Sequence, residues 1–187
     1  MNVEFVREML FFVAELKGHR QYIYEFGMAM GCPEKQLLRH DLCKLSAEQF
    51  EGYARFFRGG RLDEDKAAYL AAWNKHQHEE HHVEFYSKAG FSFEDMTEER
   101  LRNNMLEVVA DNLAATKQRG GGSLIDRLVH TFPKSNPHPR LIPFLEEGFI
   151  RAHAFYLESE ANPNVDSIFK GMPCWSDEVA EVFSKLR

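Results

Sequence analysis

Apolar residues recur at threes and fours along almost the whole chain, and no stretch alternates in the twos of a half-buried strand. Val3, Val6, Met9, Leu10, Val13 and Leu16 set the first such stripe, and Tyr22, Ile23 and Phe26 carry it to about Met30. Gly31-Cys32-Pro33 breaks the pattern, and Glu34 to Lys44 reads as a short second helix. Ser46-Ala47-Glu48-Gln49 has the spacing of a capping box, opening a third helix with Phe50, Tyr53, Ala54 and Phe57 inward. Gly59-Gly60 ends it. A helix from Asp63 to about Lys75 follows, with Tyr69, Ala72 and Trp73 as packing residues, then a short one near Val83 to Lys88.

Thr97-Glu98-Glu99-Arg100 is a second capping signal, ahead of a long helix carrying Leu101, Met105, Val108, Val109, Asn112 and Leu113. Gly120-Gly121-Gly122 stops that helix. Two more are expected at Arg140 to Glu160 and Asp177 to Leu186, after irregular chain marked by Pro133, Pro137 and Pro139. The expected fold is all-α, one helical domain over 1–187, with no repeat and no linker. Its core is about 15–118, and C-terminal helices within 138–186 pack on it.

Composition narrows the function. At 187 residues the chain can bury a sizeable core. A net charge of −6 without clustered Lys or Arg argues against an extended nucleic-acid surface. No apolar run approaches the roughly 20 residues of a membrane span. Three widely spaced cysteines, Cys32, Cys43 and Cys174, argue against a disulfide framework and for a reducing, cytoplasmic setting. The sequence gives no signal of oligomeric state.

The chemistry-bearing residues are histidines and aspartates. His40 and Asp41 are adjacent, so an imidazole nitrogen and a carboxylate oxygen can grip one ion. His19 lies upstream; His76, His78, His81 and His82 lie downstream, then Asp111. Such nitrogen and oxygen donors suit manganese, iron, cobalt, nickel or zinc, with magnesium possible, whereas soft thiolate ligation is absent. His19, the His40-Asp41 pair and Asp111 fall on three different expected helices and can form one site. His76, with His81 or His82, could hold a second ion, leaving Asp41 to bridge. Asp111 lies between Val109 and Leu113, where an unpaired carboxylate would be costly to bury; the plainer alternative is a pair with Lys117 or Arg119. Lys44 follows Asp41 by three and His40 by four, offsets that share a helix face, so its ammonium can meet a phosphate oxygen. Arg20 and Lys75 are weaker candidates for that contact. His130, His138 and His153 are isolated and read as structural.

The order His19, His40-Asp41, Asp111 on an all-helical background resembles the HD-domain superfamily of metal-dependent phosphohydrolases. Closer still is the resemblance to uncharacterised phage and bacterial HD-like proteins. It is carried by His40-Asp41-Leu42-Cys43-Lys44, Ala72-Trp73-Asn74-Lys75-His76, His81-His82-Val83-Glu84-Phe85-Tyr86 and Glu107-Val108-Val109-Ala110-Asp111. It spans about residues 15–150. The resemblance implies His19, His40, Asp41 and Asp111 as core ligands, and His76 and His82 as the extra histidines of two-metal members. Many of those members space their extra histidines further apart.

The expected activity is hydrolysis of a nucleotide or other small phosphate ester by metal-activated water, with one or two ions bound. Lys44 would contact substrate, and His81 would be the general acid. Two further readings follow from the same residues: a diiron oxygenase of the same superfamily, and a metal-stabilised binding module without catalysis.

Overall fold

A computed structural model describes residues 3–57, 63–120, 123–162 and 164–187. Eight α-helices and no strand occur among them: α1 (Val3–Met30), α2 (Glu34–Leu37), α3 (Phe50–Phe57), α4 (Asp63–His76), α5 (Glu98–Gln118), α6 (Leu124–His130), α7 (Ile142–Ala161) and α8 (Asp177–Leu186). Short 3₁₀ segments at Leu42–Leu45, Val83–Ser87, Phe132–Ser135 and Pro139–Leu141 join them. Gly59-Gly60 and Gly121-Gly122 lie outside the described residues. The all-α expectation holds.

The long helices α1 and α5 pack together as the spine. The stripe of α1 that turns inward is Phe12, Leu16, Ile23, Phe26 and Met30: from Leu16 onward it follows the expected one, but before that Phe12 takes the inward place. Val3, Leu10 and Val13 are exposed. A smaller apolar cluster of Phe12, Leu16, Tyr53, Ala54 and Ala72 joins α1 to α3 and α4. There α3 and α4 approach so closely that a Cβ added at Gly52 would lie 2.5 Å from the carbonyl oxygen of Ala68. The larger cluster holds Ile23, Phe26, Val83, Val109, Leu128, Phe149 and Phe183 and runs on through α5 to α8.

Local chemistry sets the helix ends. Thr97 accepts a hydrogen bond from the Arg100 amide and starts α5 as expected. Ser123 does the same for the Asp126 amide and starts α6, a helix the sequence reading did not include. The Ser46 capping box does not form: the Ser46 carbonyl takes the amides of Gln49 and Phe50, and α3 begins at Phe50.

The expected helix from Glu34 to Lys44 is also corrected. It ends at Leu37, because Asp41 adopts the left-handed conformation with φ 61°. A right-handed helix cannot pass through such a residue, and Asp is one of the few side chains that tolerate it. Arg20 of α1 ties this turn down, donating from Nε to the His40 carbonyl at 2.9 Å and from Nη2 to the Leu38 carbonyl at 2.6 Å.

Candidate metal centre

His40 and Asp41 are carried into the interior by that irregular turn, and both are buried. Around them the fold gathers His19 from α1, His76 from the end of α4, His81 and His82 from the loop after it, and Asp111 from α5. His19 lies in the inward stripe of α1, three residues after Leu16 and four before Ile23. Every predicted ligand therefore arrives in one place.

Asp41 is the hub. Its Oδ1 lies 3.0 Å from His76 Nε2, 3.5 Å from His40 Nε2 and 3.7 Å from His81 Nε2. Its Oδ2 lies 2.6 Å from Lys44 Nζ and 3.6 Å from His19 Nε2. The two oxygens thus face different partners. On the far side, His19 Nε2 is 3.0 Å from Asp111 Oδ1. His82 Nε2 and His76 Nε2 face each other at 2.8 Å.

Glu107 completes the arrangement, and the sequence reading gave it no site role. It lies one helical turn before Asp111 on α5, and its Oε1 is 2.8 Å from His40 Nδ1. A carboxylate accepts there, so His40 Nδ1 donates to Glu107 and the ring turns its Nε2 toward Asp41. A carboxylate behind a histidine is the usual way to orient a metal ligand. Gln36 donates to both Glu107 and Asn104, and Asn104 donates to the Tyr86 hydroxyl and to Glu80, so Glu107 is itself held in a buried network.

The hydrogen bonding leaves a conspicuous deficit. His40 Nε2, His81 Nε2 and Asp41 Oδ1 are buried with no hydrogen-bond partner among the described residues. Buried polar atoms are ordinarily paired, and each orphan costs about 1–3 kcal/mol. For His40 the orphaned Nε2 lies 3.5 Å from Asp41 Oδ1, so that a cation held by both atoms would satisfy them together. Of the three carboxyl groups here, Asp41, Glu107 and Asp111, only Asp41 pairs with an ammonium, that of Lys44.

Burial alone would raise the Asp41 carboxyl, but Lys44, His40 and the neighbouring imidazoles of His76 and His81 outweigh it and hold it well below the ordinary range. Asp111 is likewise held low against the effect of burial, chiefly by His19; its side chain retains 23% exposure, on the cleft wall. Burial lowers His76 to about 4 and holds His82 well below the ordinary imidazole value. Both are neutral at physiological pH, the form that ligates metals. Cys43 Sγ lies 3.1 Å from His76 Nδ1, and burial pushes its thiol up to about 11, so it offers no thiolate.

Three sets of side chains have ligand atoms close enough to share an ion: His76, His81 and His82; His19, His40 and Asp41; and His40, His81 and Glu107. These buried groups can hold a metal ion. His81 falls within the ligand cluster and also borders the cleft. Lys44 comes to the site as expected, though through a 3₁₀ turn rather than a continuous helix, and there it pairs with Asp41 Oδ2. Of the weaker candidates, Arg20 is taken up by the turn at His40, and Lys75 pairs with Glu48 at the surface. His138 caps a 3₁₀ segment through the Arg140 amide, and His153 accepts from the Cys174 amide.

A cleft of about 580 Å³ opens onto the cluster. His19, Asp41, Lys44, His81, His82 and Asp111 form its floor. Phe11, Tyr69 and Trp73 line one part of its wall, and Arg119 and Arg127 line another.

A family model covers residues 8–149, a span that contains all of these ligands and both arginines. The chain belongs to a family of unknown function, DUF5662. No curated protein and no solved structure matches it. Within the family region, no described helix is long and apolar enough to cross a membrane, and the same holds for the other described helices.

Proposed function

We propose that this chain is a metal-dependent phosphohydrolase of the HD type, acting on a nucleotide or other small phosphate ester. The observation that carries the reading is the buried His40 Nε2, oriented by Glu107, unpartnered and aimed at Asp41. The donor set of imidazole nitrogens and carboxylate oxygens fits a divalent ion such as manganese, iron, cobalt, nickel or zinc.

His19, His40, Asp41 and Asp111 would hold one ion. His76 and His82 would hold a second, leaving His81 free, and Asp41 lies between the sets, its Oδ1 near His76 and His40 and its Oδ2 near His19. A bound divalent ion lowers the pKa of water and neutralises charge on a phosphoryl group. Lys44 brings a fixed positive charge to the mouth of the site, where it can meet a phosphate oxygen. The partly buried walls limit bulk water, and Tyr69 and Trp73 offer faces on which a base can lie. His81, bordering the cleft, is placed to hand a proton to the leaving group. The test is a screen of nucleotides and simple phosphate esters with each metal in turn. Turnover should vanish in Asp41→Asn with the fold intact; persistent turnover in that variant would end the reading.

The divided contacts of Asp41 also favour a second reading, a diiron oxygenase of the same superfamily, since a bridging carboxylate serves two irons equally well. Oxygen consumption that requires iron and a reduced organic substrate, with no phosphate-ester turnover, would select it.

A further inference from the structure

Arg127 is a guanidinium that forms no ion pair among the described residues. It stands on α6, lines the cleft, and has its Nη1 atom buried with no hydrogen-bond partner. Among the described residues no carboxylate lies within 4 Å of it. Asp111, the acidic group that bears most on it electrostatically, is already engaged by His19 at 3.0 Å. Arg119, at the end of α5, lines the same wall and repels it. The fold thus brings two like charges together and buries part of one. Such a pair is unfavourable by itself and is relieved by an anion that accepts from both.

We infer that Arg127, assisted by Arg119, forms a second anion subsite in the cleft, selective for a phosphate-type dianion. Two guanidinium groups favour a dianion over a carboxylate monoanion, because both positive charges are then matched. Glu15, the carboxylate on the adjoining wall, is occupied by the Gln118 amide. Glu84, also on the cleft wall, is raised by burial and therefore opposes an anion less than an exposed carboxylate would. The inference rests on the phosphohydrolase reading in one respect only: the reacting phosphoryl group would lie at Lys44 and the metal ligands. The substrate would then carry a second phosphate, held away from the bond that breaks.

Phosphate binding to the full chain, stripped of metal by chelation, is the direct test, followed by calorimetry. Wild-type protein should bind inorganic phosphate, and Arg127→Gln should weaken it roughly tenfold or more, the scale of losing a charge-assisted contact. Arg127→Lys should recover part of the affinity, and Arg119→Gln should give a smaller loss. Acetate should bind far more weakly than phosphate. Without ligand, Arg127→Gln should melt no lower than wild type, since no partner is lost. Equal phosphate affinity in wild type and Arg127→Gln, acetate binding as tight as phosphate, or no phosphate binding by wild type would overturn the inference. Asp41→Asn separates the two proposals: phosphate binding to the metal-free variant should persist even where metal binding and turnover are lost.

Discussion

The His/Asp pocket and the C-terminal core are both set into the interior and are built on opposite terms. Around Phe149, the core is aromatic and aliphatic: Phe132 stacks on Phe183 at 5.8 Å, Phe149 meets Phe183 at 5.9 Å, and Leu128 and Val179 are fully enclosed. Its few polar groups are matched, as where the Cys174 amide meets His153. The pocket encloses His40, Asp41, His76, His81 and His82 and leaves several of their atoms unpartnered. One region is complete as it stands; the other has the donors to take up a cation. Substitutions in the first should cost stability alone, and substitutions in the second should cost ligand binding first.

The largest effect should come from the core. Phe149→Ala removes a fully enclosed ring and should destabilise by about 3–5 kcal/mol. Denaturant unfolding measures this, and the metal content of the folded fraction should not change. A parallel loss of metal would show that the two regions are not independent.

Next comes the gain in stability on adding metal. At an ion concentration 100 times its Kd, binding stabilises by about 2.7 kcal/mol. Wild-type protein should show the corresponding rise in melting temperature and Asp41→Asn should show none. An equal rise in both would mean that the ion binds elsewhere.

A smaller effect is expected behind the ligands. Glu107→Gln preserves shape but weakens the hold on His40, and metal affinity should fall by about 10–100-fold, the range for groups that orient a ligand. Competition with a metal-binding dye would measure it. A variant with native affinity would assign Glu107 to folding alone.

The smallest effect is the acid response of the metal-free protein. The folded value of His76, about 4, lies below its ordinary 6.5, so protons bind the unfolded chain more readily. Its contribution is full above pH 6.5 and is lost as pH falls toward 4. Asp41 and Asp111, also held low when folded, add their loss below that window. The melting temperature should fall from pH 6.5 to 4, and less steeply in His76→Gln. The C-terminal core offers no comparable buried histidine, so Phe149→Ala should keep the wild-type slope.

Helical periodicity made most of the fold legible, because a 3.6-residue stripe is a direct image of one buried face. The capping signal at Thr97 placed α5, and α8 lies where its pattern predicts. Only the first half of α1's inner face was misread, because hydrophobicity alone does not say where a partner helix ends; Val3, Leu10 and Val13 are exposed, while Leu16, Ile23, Phe26 and Met30 are buried as their spacing predicts. α6 escaped notice at seven residues, too short for a period to show, although Ser123 and Asp126 carried its start signal. The ligands were legible because His and Asp are scarce and were clustered in order. Glu107 was not: a glutamate on a helix usually faces water, and its only mark was a place one turn before Asp111 on an apolar face. The turn that delivers His40 and Asp41 was hidden as well, since a left-handed aspartate looks like any other in sequence.

The central claim is that the pocket is built around a metal ion. The most direct measurement is the elemental composition of the purified, untagged chain, with metals counted per molecule. One or two divalent transition-metal ions per chain, lost in Asp41→Asn, is the predicted result. A chain that retains no ion, even after exposure to manganese, iron, cobalt, nickel and zinc in turn, would contradict it.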